Sequence, residues 1–197
     1  MKVLLIADSH GYDMEWLLTG LGENIEVYTV VLGRGTSAIR GLYRDRLEEI
    51  VYFDPSVVLI HCGHNDISRH FLHNTNPLFI TAAFHLVMEL ALEVQANFPT
   101  ATLVISSLLP RKAGNFYTET DSLKYNKIAK RFGQMVNREA GLHSATSPEF
   151  RASLNRNLWG RISRAEAKEA LLDFGGLHLN SKGKVVLVNE WFSVMDM

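Results

Sequence analysis

The chain has 197 residues, the length of one ordinary domain, and its 47% hydrophobic and 21% charged residues are typical of a soluble globular protein. A formal net charge of -1 gives no electrostatic reason to expect nucleic acid or an anionic membrane as the main partner. The single cysteine, Cys62, excludes a disulfide framework and a cysteine-based metal site.

Strand and helix patterns alternate along the chain. Short apolar runs predict strands over residues 3–7, 25–31, 57–60 and 102–106, with a short fifth strand over 142–145. Helical patterns cover residues 12–21, 37–51, 77–98, 122–140, 163–172 and 181–194. This alternation predicts an α/β fold, a flavodoxin-like three-layer α/β/α sandwich with a central parallel sheet of about five strands.

Local signals set several of the predicted boundaries. Asp54 before Pro55 ends the second helix, and Gly141 is expected to end the helix over 122–140. A Ser163/Glu166 capping box opens the helix over 163–172, and residues 147–159 are predicted to be irregular. The N-terminal apolar run is too short for a signal peptide, and no stretch approaches about 18 apolar residues. We therefore predict a single cytoplasmic domain over 1–197 without a membrane span.

Polar residues follow the first predicted strand directly. Asp8, Ser9 and His10 stand where open α/β sheets bind their ligands, just beyond the carboxyl end of a strand. A serine there acts as a nucleophile only when a base takes its proton. The alternative is structural, with Asp8 or Ser9 capping the following helix.

Three further stretches carry candidate chemistry. In residues 33–37, Gly35 lets a backbone N–H approach a ligand, or simply serves a strand-to-helix turn. In residues 63–66, Asn65 offers an amide of the type that stabilises an oxyanion, or else forms an Asx-turn with Asp66. In residues 173–180, His178 is the natural base, although the chain has eight histidines and most surface histidines have no catalytic role.

The order of these stretches resembles the blocks of the SGNH (GDSL-like) hydrolases along nearly the whole chain. Residues 7–10, Ala-Asp-Ser-His, are similar to the Gly-Asp-Ser block, with alanine in place of glycine. Residues 35–37 resemble the second block, and Gly63-His-Asn-Asp66 matches the Gly-x-Asn-Asp block. Residues 176–180, Gly-Leu-His-Leu-Asn, resemble the last block.

The resemblance implies a serine esterase or acyl hydrolase that needs no cofactor and no metal. Ser9 would attack a carbonyl and His178 would carry the proton. The N–H groups of Ser9 and Gly35, with the Asn65 amide, would hold the oxyanion. The implied partner is a small-molecule or acylated substrate.

The chain departs from the family at the position of the orienting aspartate. The family usually places it three residues before the histidine, where this chain has Gly175. Asp173 lies five residues before His178 and can replace it if the pair Gly175–Gly176 bulges the loop. Otherwise a Ser9–His178 dyad or an impaired site is left.

Two other functions compete with the esterase. One is a catalytically impaired SGNH-like domain that only binds. The other is a calcineurin-like metallophosphoesterase, because Asp8-Ser-His-Gly11 also looks like the Asp-x-His-Gly opening of that class; however, its later metal-ligand motifs are missing. The loops at 69–76, 111–120 and 146–160 are predicted to line the mouth. Their aromatic residues are Phe71, Phe116, Tyr117, Phe150 and Trp159.

Overall fold

The computed structural model describes residues 1–68, 70, 78–115, 117–143, 150–156, 159, 171–173 and 176–195, which contain one parallel sheet. Its strands are β1 (Lys2–Ala7), β2 (Glu26–Val31), β3 (Val57–His61), β4 (Thr102–Ser106) and β5 (Phe150–Ser153). They lie in the order β2-β1-β3-β4-β5, and every neighbouring pair is parallel. This is the flavodoxin-like order, so the predicted fold class is confirmed.

Helices cover both faces of the sheet. They are α1 (Glu15–Thr19), α2 (Thr36–Asp45), α3 (Leu47–Phe53), α4 (His64–Ser68), α5 (Leu78–Asn97), α6 (Glu119–His143) and α7 (Ser181–Met195). Side chains alternate along β1: Leu4 and Ile6 join one apolar cluster, whereas Val3 and Leu5 join the other. The first cluster contains α2, α3, α5 and α6, and the second contains α1 and α7. Burial on both faces explains why β1 and β3 are uninterrupted apolar runs.

Helix α5 is the one described helix that is long and apolar enough to cross a membrane. Its buried face packs in the first apolar cluster, with Phe84 and Leu90 inside. Its outer face carries Glu89 and Glu93, which form ion pairs with Arg40 of α2. These contacts are those of a core helix in an α/β/α sandwich.

The first two predicted helices are shorter than expected. The pattern over 12–21 forms a helix only at α1, because a 3₁₀ turn occupies Ser9–Gly11 and Asp13 takes a positive φ of 61°. The pattern over 37–51 is divided at Arg46, whose φ of -107° is not helical, into α2 and α3. The predicted end at Asp54 is confirmed, since this residue is left-handed with φ 54°.

The largest errors lie in the C-terminal half. Helix α6 begins at Glu119, where Thr118 and Asp121 cap one another, and it runs through Gly141 to His143. The prediction of a strand over 142–145 is therefore wrong for residues 142 and 143, which are helical, and residues 144 and 145 lie outside the described part of the chain. The fifth strand is β5, inside the stretch predicted to be irregular. The predicted helix over 163–172 lies outside the described residues, apart from Leu171 and Leu172.

Candidate active site

Ser9 lies at the carboxyl end of β1, beside the point where the strand order reverses between β1 and β3. Ligands of flavodoxin-like sheets bind at this point. The carboxylate of Asp8 accepts the N–H of His10 and so caps the 3₁₀ turn Ser9–Gly11. The turn leaves Ser9 partly exposed, and its Oγ lies 3.2 Å from Nε2 of His178. The two predicted catalytic residues, 169 positions apart in sequence, are within hydrogen-bond distance.

His178 lies in the loop before α7. Its carbonyl accepts the N–H of Asp173 at 2.8 Å, and a bridge between Leu172 and Leu179 closes the loop. Burial and the neighbouring His10 lower the pKa of His178, while Asp173 opposes them. The ring is therefore neutral at neutral pH, with Nε2 able to take a proton from Ser9.

Asp173 approaches His178 without a ring hydrogen bond. Its Oδ2 lies 3.7 Å from Nδ1 of His178, which is close enough for charge attraction and too long for a hydrogen bond. Its Oδ1 accepts the backbone N–H groups of Leu177 at 3.0 Å and His178 at 3.3 Å. Asp173 thus holds the backbone of the loop more firmly than the imidazole. Gly175, on which the predicted bulge depends, lies outside the described residues.

The predicted oxyanion loop is fixed by Asp66. Its Oδ2 accepts the N–H of Thr36 at 2.9 Å and the hydroxyl of Thr36 at 2.6 Å. A Cβ at Gly35 would lie 2.5 Å from Oδ1 of Asp66, so only glycine fits here. The sequence predicted that this glycine permits a close approach; the group that approaches it is the Asp66 carboxylate.

Asn65, in the first turn of α4, donates from Nδ2 to the carbonyl of Arg34 at 3.1 Å. This bond places its amide against the Arg34–Gly35 peptide. The C=O and N–H of a trans peptide point in opposite directions, so Asn65 and the Gly35 N–H lie on opposite sides of that peptide. The second N–H of the Asn65 amide is the donor left for an oxyanion.

Sequence reasoning missed a buried cluster behind Ser9, which we call the Asp8 cluster: Asp8, His10 and His64. Oδ1 of Asp8 lies 2.9 Å from Nδ1 of His10, and Oδ2 lies 3.0 Å from Nδ1 of His64. Burial opposes ionisation of Asp8, but the two histidines, by charge and hydrogen bond, hold its pKa well below the usual range. The signal available in the sequence was the pairing of Asp8 with two histidines at neighbouring strand ends.

The Asp8 cluster connects four loops. Nε2 of His64 accepts the N–H of Leu109, beyond β4, at 2.8 Å. Nε2 of His10 lies 3.3 Å from the carbonyl of Leu177, next to His178. The bond from Leu109 requires Nε2 of His64 to be unprotonated, and burial lowers the pKa of this histidine to about 4. His64 is therefore neutral, with its proton on Nδ1.

Among the described residues, His10, His61 and His64 are the group whose geometry comes closest to a metal site, with ligand atoms within 4.8 Å of one another. Their bonding does not fit one. His10 and His64 stack with centroids 4.1 Å apart, so their nitrogen lone pairs run side by side rather than converging. Nε2 of His64 already accepts the N–H of Leu109, and each oxygen of Asp8 already bonds to one of the two rings. We interpret the group as a hydrogen-bonded cluster.

Cys62, between β3 and α4, is buried under the same site. Its Sγ lies 3.6 Å from the carbonyl of Ile6 in β1, and burial raises the pKa of the thiol well above its usual value. The thiol is therefore protonated and packed, and it takes no part in the chemistry of the site.

A cleft of about 370 Å³ opens beside the candidate pair. It is lined by Ser9, His10, Tyr12, Asp13, His178, Leu179 and Lys184. The ammonium of Lys184 lies 3.2 Å from the Asp13 carboxylate and donates to the carbonyl of Tyr12. Tyr12, Asp13 and Lys184 were not among the site residues predicted from the sequence.

The aromatic residues predicted to line the mouth lie in different environments. The prediction is wrong for Phe150, which is buried in the core on β5. Trp159 lines a second cavity of about 430 Å³ with Lys130 and Arg156, and Tyr117 bonds to Arg111. Phe71 and Phe116 lie outside the described residues.

Solved structures similar to this chain include three bacterial ester hydrolases. A putative GDSL-like lipase from Parabacteroides merdae superposes with a TM-score of 0.66 at 14% identity, covering 98% of this chain and 94% of that one. A lipolytic protein of the G-D-S-L family from Veillonella parvula gives 0.66 at 14%, covering 98% and 97%. A catalytic mutant of an acetylxylan esterase from Geobacillus stearothermophilus gives 0.62 at 14%, covering 100% and 94%. At this identity the likeness is one of fold.

No protein-family model matches the sequence. No curated protein matches it either. The assignment of chemistry therefore depends on the residues themselves.

Proposed function

We propose that this chain, which has the fold of the SGNH (GDSL-like) hydrolases, is a serine ester hydrolase that removes a small acyl group. The observation that carries the proposal is the 3.2 Å contact between Ser9 Oγ and His178 Nε2. A serine and a neutral histidine in this contact, beside a cleft at the switch point of the sheet, form a nucleophile and its base.

The first half of the reaction is acyl transfer to the enzyme. Ser9 Oγ attacks the ester carbonyl carbon while Nε2 of His178 takes the hydroxyl proton. The carbonyl oxygen becomes an oxyanion, which the N–H of Ser9 and the second amide N–H of Asn65 stabilise. The N–H of Gly35 lies on the opposite side of its peptide from Asn65, so it is not assigned to this oxyanion. On collapse, the C–O bond to the alcohol breaks and His178 returns the proton to the leaving oxygen.

The second half is hydrolysis of the acyl-enzyme. His178 Nε2 removes a proton from water, whose oxygen attacks the acyl carbon. Collapse breaks the bond to Ser9 Oγ, the proton passes to that oxygen, and the free acid leaves. The substrate, one water molecule and the side chains of the enzyme account for every atom and proton in this sequence.

Asp173 supports His178 in two ways in this proposal. Its Oδ1 fixes the Leu177–His178 backbone, and its charge 3.7 Å from Nδ1 favours the imidazolium formed during attack. The arrangement is a dyad with an electrostatic third member, looser than a hydrogen-bonded triad. We therefore revise the sequence-based expectation of a full triad.

The size and polarity of the cleft favour a short acyl group on a polar alcohol. A volume of about 370 Å³ suits a small ester, and the charged Lys184 and Asp13 suit hydroxyl-bearing groups. Two of the similar structures are acetylxylan esterases, whose substrates combine these features. We propose acetyl esters as the first substrates to test.

The metallophosphoesterase alternative does not fit the bonding of Asp8. That class uses the aspartate as a metal ligand, whereas both oxygens of Asp8 here accept bonds from the backbone N–H and ring of His10 and His64. We do not carry this alternative further.

The test is covalent labelling with a fluorophosphonate, with and without Ser9→Ala, together with turnover of p-nitrophenyl acetate. We expect labelling and hydrolysis that Ser9→Ala abolishes without changing Tm. Ser193→Ala, near the far end of α7, is the matched serine control and should keep full labelling. A folded wild-type protein that is neither labelled nor active would instead support the binding-domain alternative.

A further inference from the structure

Arg111, in the loop after β4, is a buried cation that the proposed reaction does not yet use. Its side chain is 3% exposed, and no carboxylate among the described residues lies within ion-pair distance of it. Burying a charge without an ionic partner destabilises a fold unless other groups compensate. A residue held in this way is expected to have a role that offsets the cost.

Hydroxyl groups and aromatic rings surround the guanidinium. Nη1 donates to the Tyr117 hydroxyl at 2.8 Å, and Nη2 donates to Ser68 Oγ at 2.6 Å. Cζ lies 4.0 Å from the centroid of the Tyr125 ring, a desolvated cation–π contact. Nε is buried without a hydrogen-bond partner. Within the described part of the chain, the guanidinium is therefore stabilised by hydroxyl groups and an aromatic ring rather than by a carboxylate.

The backbone of Arg111 is clamped to α6. Its N–H donates to Oδ1 of Asn126 at 2.8 Å, and its carbonyl accepts Nδ2 of the same residue at 2.8 Å. The next residue, Lys112, donates its N–H to the carbonyl of Gly176 in the loop of His178. The base of the arginine side chain is therefore fixed between a long helix and the His178 loop.

The tip of the side chain reaches the helix that carries Asn65. Ser68, the last residue of α4, accepts from Arg111 and donates its own hydroxyl to the carbonyl of His64. Helix α4 has only five residues, too few to be stable without such external contacts. A cation at its C-terminal end is also favourable for the helix dipole.

The charge of Arg111 acts on both histidines of the site. After burial and His10, Arg111 is among the groups that lower the pKa of His178, and it lowers the pKa of His64 in the same way.

We propose that Arg111 is a positioning residue: through Ser68 it braces the C-terminal end of α4, and with it Asn65. This inference rests on the proposed function. The effect of the Arg111 charge on His178 is tested separately, because Ser68→Ala removes the bond to α4 and leaves the charge in place.

Several groups face His178 and set its titration. His10 and Arg111 oppose its protonation, whereas Asp173 and Asp8 favour it. Lys184 and Asp13 line the same cleft and form an ion pair with each other. Removing the charge of Arg111 removes one opposing group, so the pKa of His178 rises and the acid limb of kcat/KM moves to higher pH.

The experiment compares four variants by pH profile and by NMR titration of the His178 ring. Arg111→Gln should lower kcat and move the acid limb and the NMR titration to higher pH. Arg111→Lys keeps the charge and should restore the titration but not the full kcat. Ser68→Ala should lower kcat roughly 3- to 10-fold without moving the titration. Tyr117→Phe, which removes the other hydroxyl partner and leaves α4 untouched, is the matched control.

Two results would overturn the inference. One is a folded Arg111→Gln protein with the kcat of the wild type. The other is a Ser68→Ala protein with unchanged kcat. If Arg111→Gln does not fold, Arg111→Lys and Ser68→Ala still test the contact with α4. If the wild type hydrolyses no ester, the proposed function fails, while the NMR chemical shifts of the Asn65 side-chain amide in Ser68→Ala still show whether Arg111 and Ser68 position α4.

Discussion

Two aspartate–histidine pairs lie in one crevice, and they are built in opposite ways. Asp8 is fully buried, and its two oxygens accept backbone and ring nitrogens of His10 and His64 at 2.9–3.2 Å. The side chain of Asp173 is 39% exposed, and its nearest approach to the His178 ring is 3.7 Å. The pair that touches the proposed nucleophile is the loose one, and the pair behind it is the tight one.

The difference separates two tasks that one carboxylate performs in a hydrogen-bonded triad. Asp8 fixes geometry, because its histidines reach the Leu109 N–H and the Leu177 carbonyl on either side of the site. Asp173 supplies charge near the base while bonding mainly to the backbone. Rigidity in this site comes from the interior, and the surface carboxylate adjusts the base.

The sharpest test of this division is the stability of the two Asp→Asn variants. Asp8→Asn leaves the rings of His10 and His64 without their anionic acceptor, and we expect it to lower the free energy of unfolding by about 3–5 kcal/mol. Asp173→Asn should change it by less than about 1 kcal/mol, because the group is partly exposed and screened. Urea denaturation of both variants at pH 7.5 measures the difference; similar values would contradict the division.

His64 of the Asp8 cluster is the first residue of α4, so we expect the cluster to position Asn65, the residue that follows it. Asn65→Ala should lower kcat by ~10²-fold with little change in KM, the loss typical of removing one oxyanion donor. Steady-state kinetics with p-nitrophenyl acetate measure both. Asp66→Asn, on the same helix, loosens Thr36 and should instead lower Tm first. A change confined to KM would place Asn65 in substrate binding.

Acid should lower the stability of the fold through the buried His64 of the interior pair. The pKa of His64 is about 4 in the folded chain against an ordinary 6.5. Below pH 6.5 the unfolded chain therefore takes up a proton that the folded chain refuses, and stability is lost as the pH falls. Between pH 7.5 and 5 this histidine alone should cost about 2 kcal/mol. Urea denaturation across this range, with His64→Gln as the reference, should show a flatter dependence in the variant; equal slopes would contradict the assignment.

The smallest effect is expected for Asp173 in turnover. Because its carboxylate does not hydrogen-bond the ring, Asp173→Asn should lower kcat by about 10-fold rather than the ~10⁴-fold seen when a triad aspartate is lost. The pKa of His178 should fall slightly, since Asp173 favours its protonation. A loss approaching 10⁴-fold would show that the carboxylate closes onto the ring when substrate binds.

The parts of this molecule that the sequence predicted are those encoded by local pattern. Strands β1 and β3 are continuous apolar runs, and the alternation of strands with helices predicts a parallel sheet. Strand β5 was missed because it is a short edge strand in which Phe150 precedes the charged Arg151. The helix end at Gly141 was wrong because nothing there requires a left-handed residue.

The candidate site shows the same limit. Motif order predicted the meeting of Ser9 with His178, but not the Asp8 cluster, which depends on the juxtaposition of two strand ends. The role of Arg111 depends on contacts with Ser68 and Tyr117 that no spacing rule encodes. The distance of 3.7 Å between Asp173 and the His178 ring is a feature of the tertiary structure that sequence spacing alone does not specify.

The lone thiol of Cys62 makes the seam between β1 and β3 observable. The side chain is 1% exposed, so a thiol reagent can reach it only when the packing around this seam opens. The rate of its modification in the native protein therefore reports how often the floor of the site opens, in the manner of hydrogen exchange at a single position. A ligand that binds across Ser9 and Asn65 should lower this modification rate. The sequence contains one cysteine, so the rate is assigned to Cys62 without ambiguity.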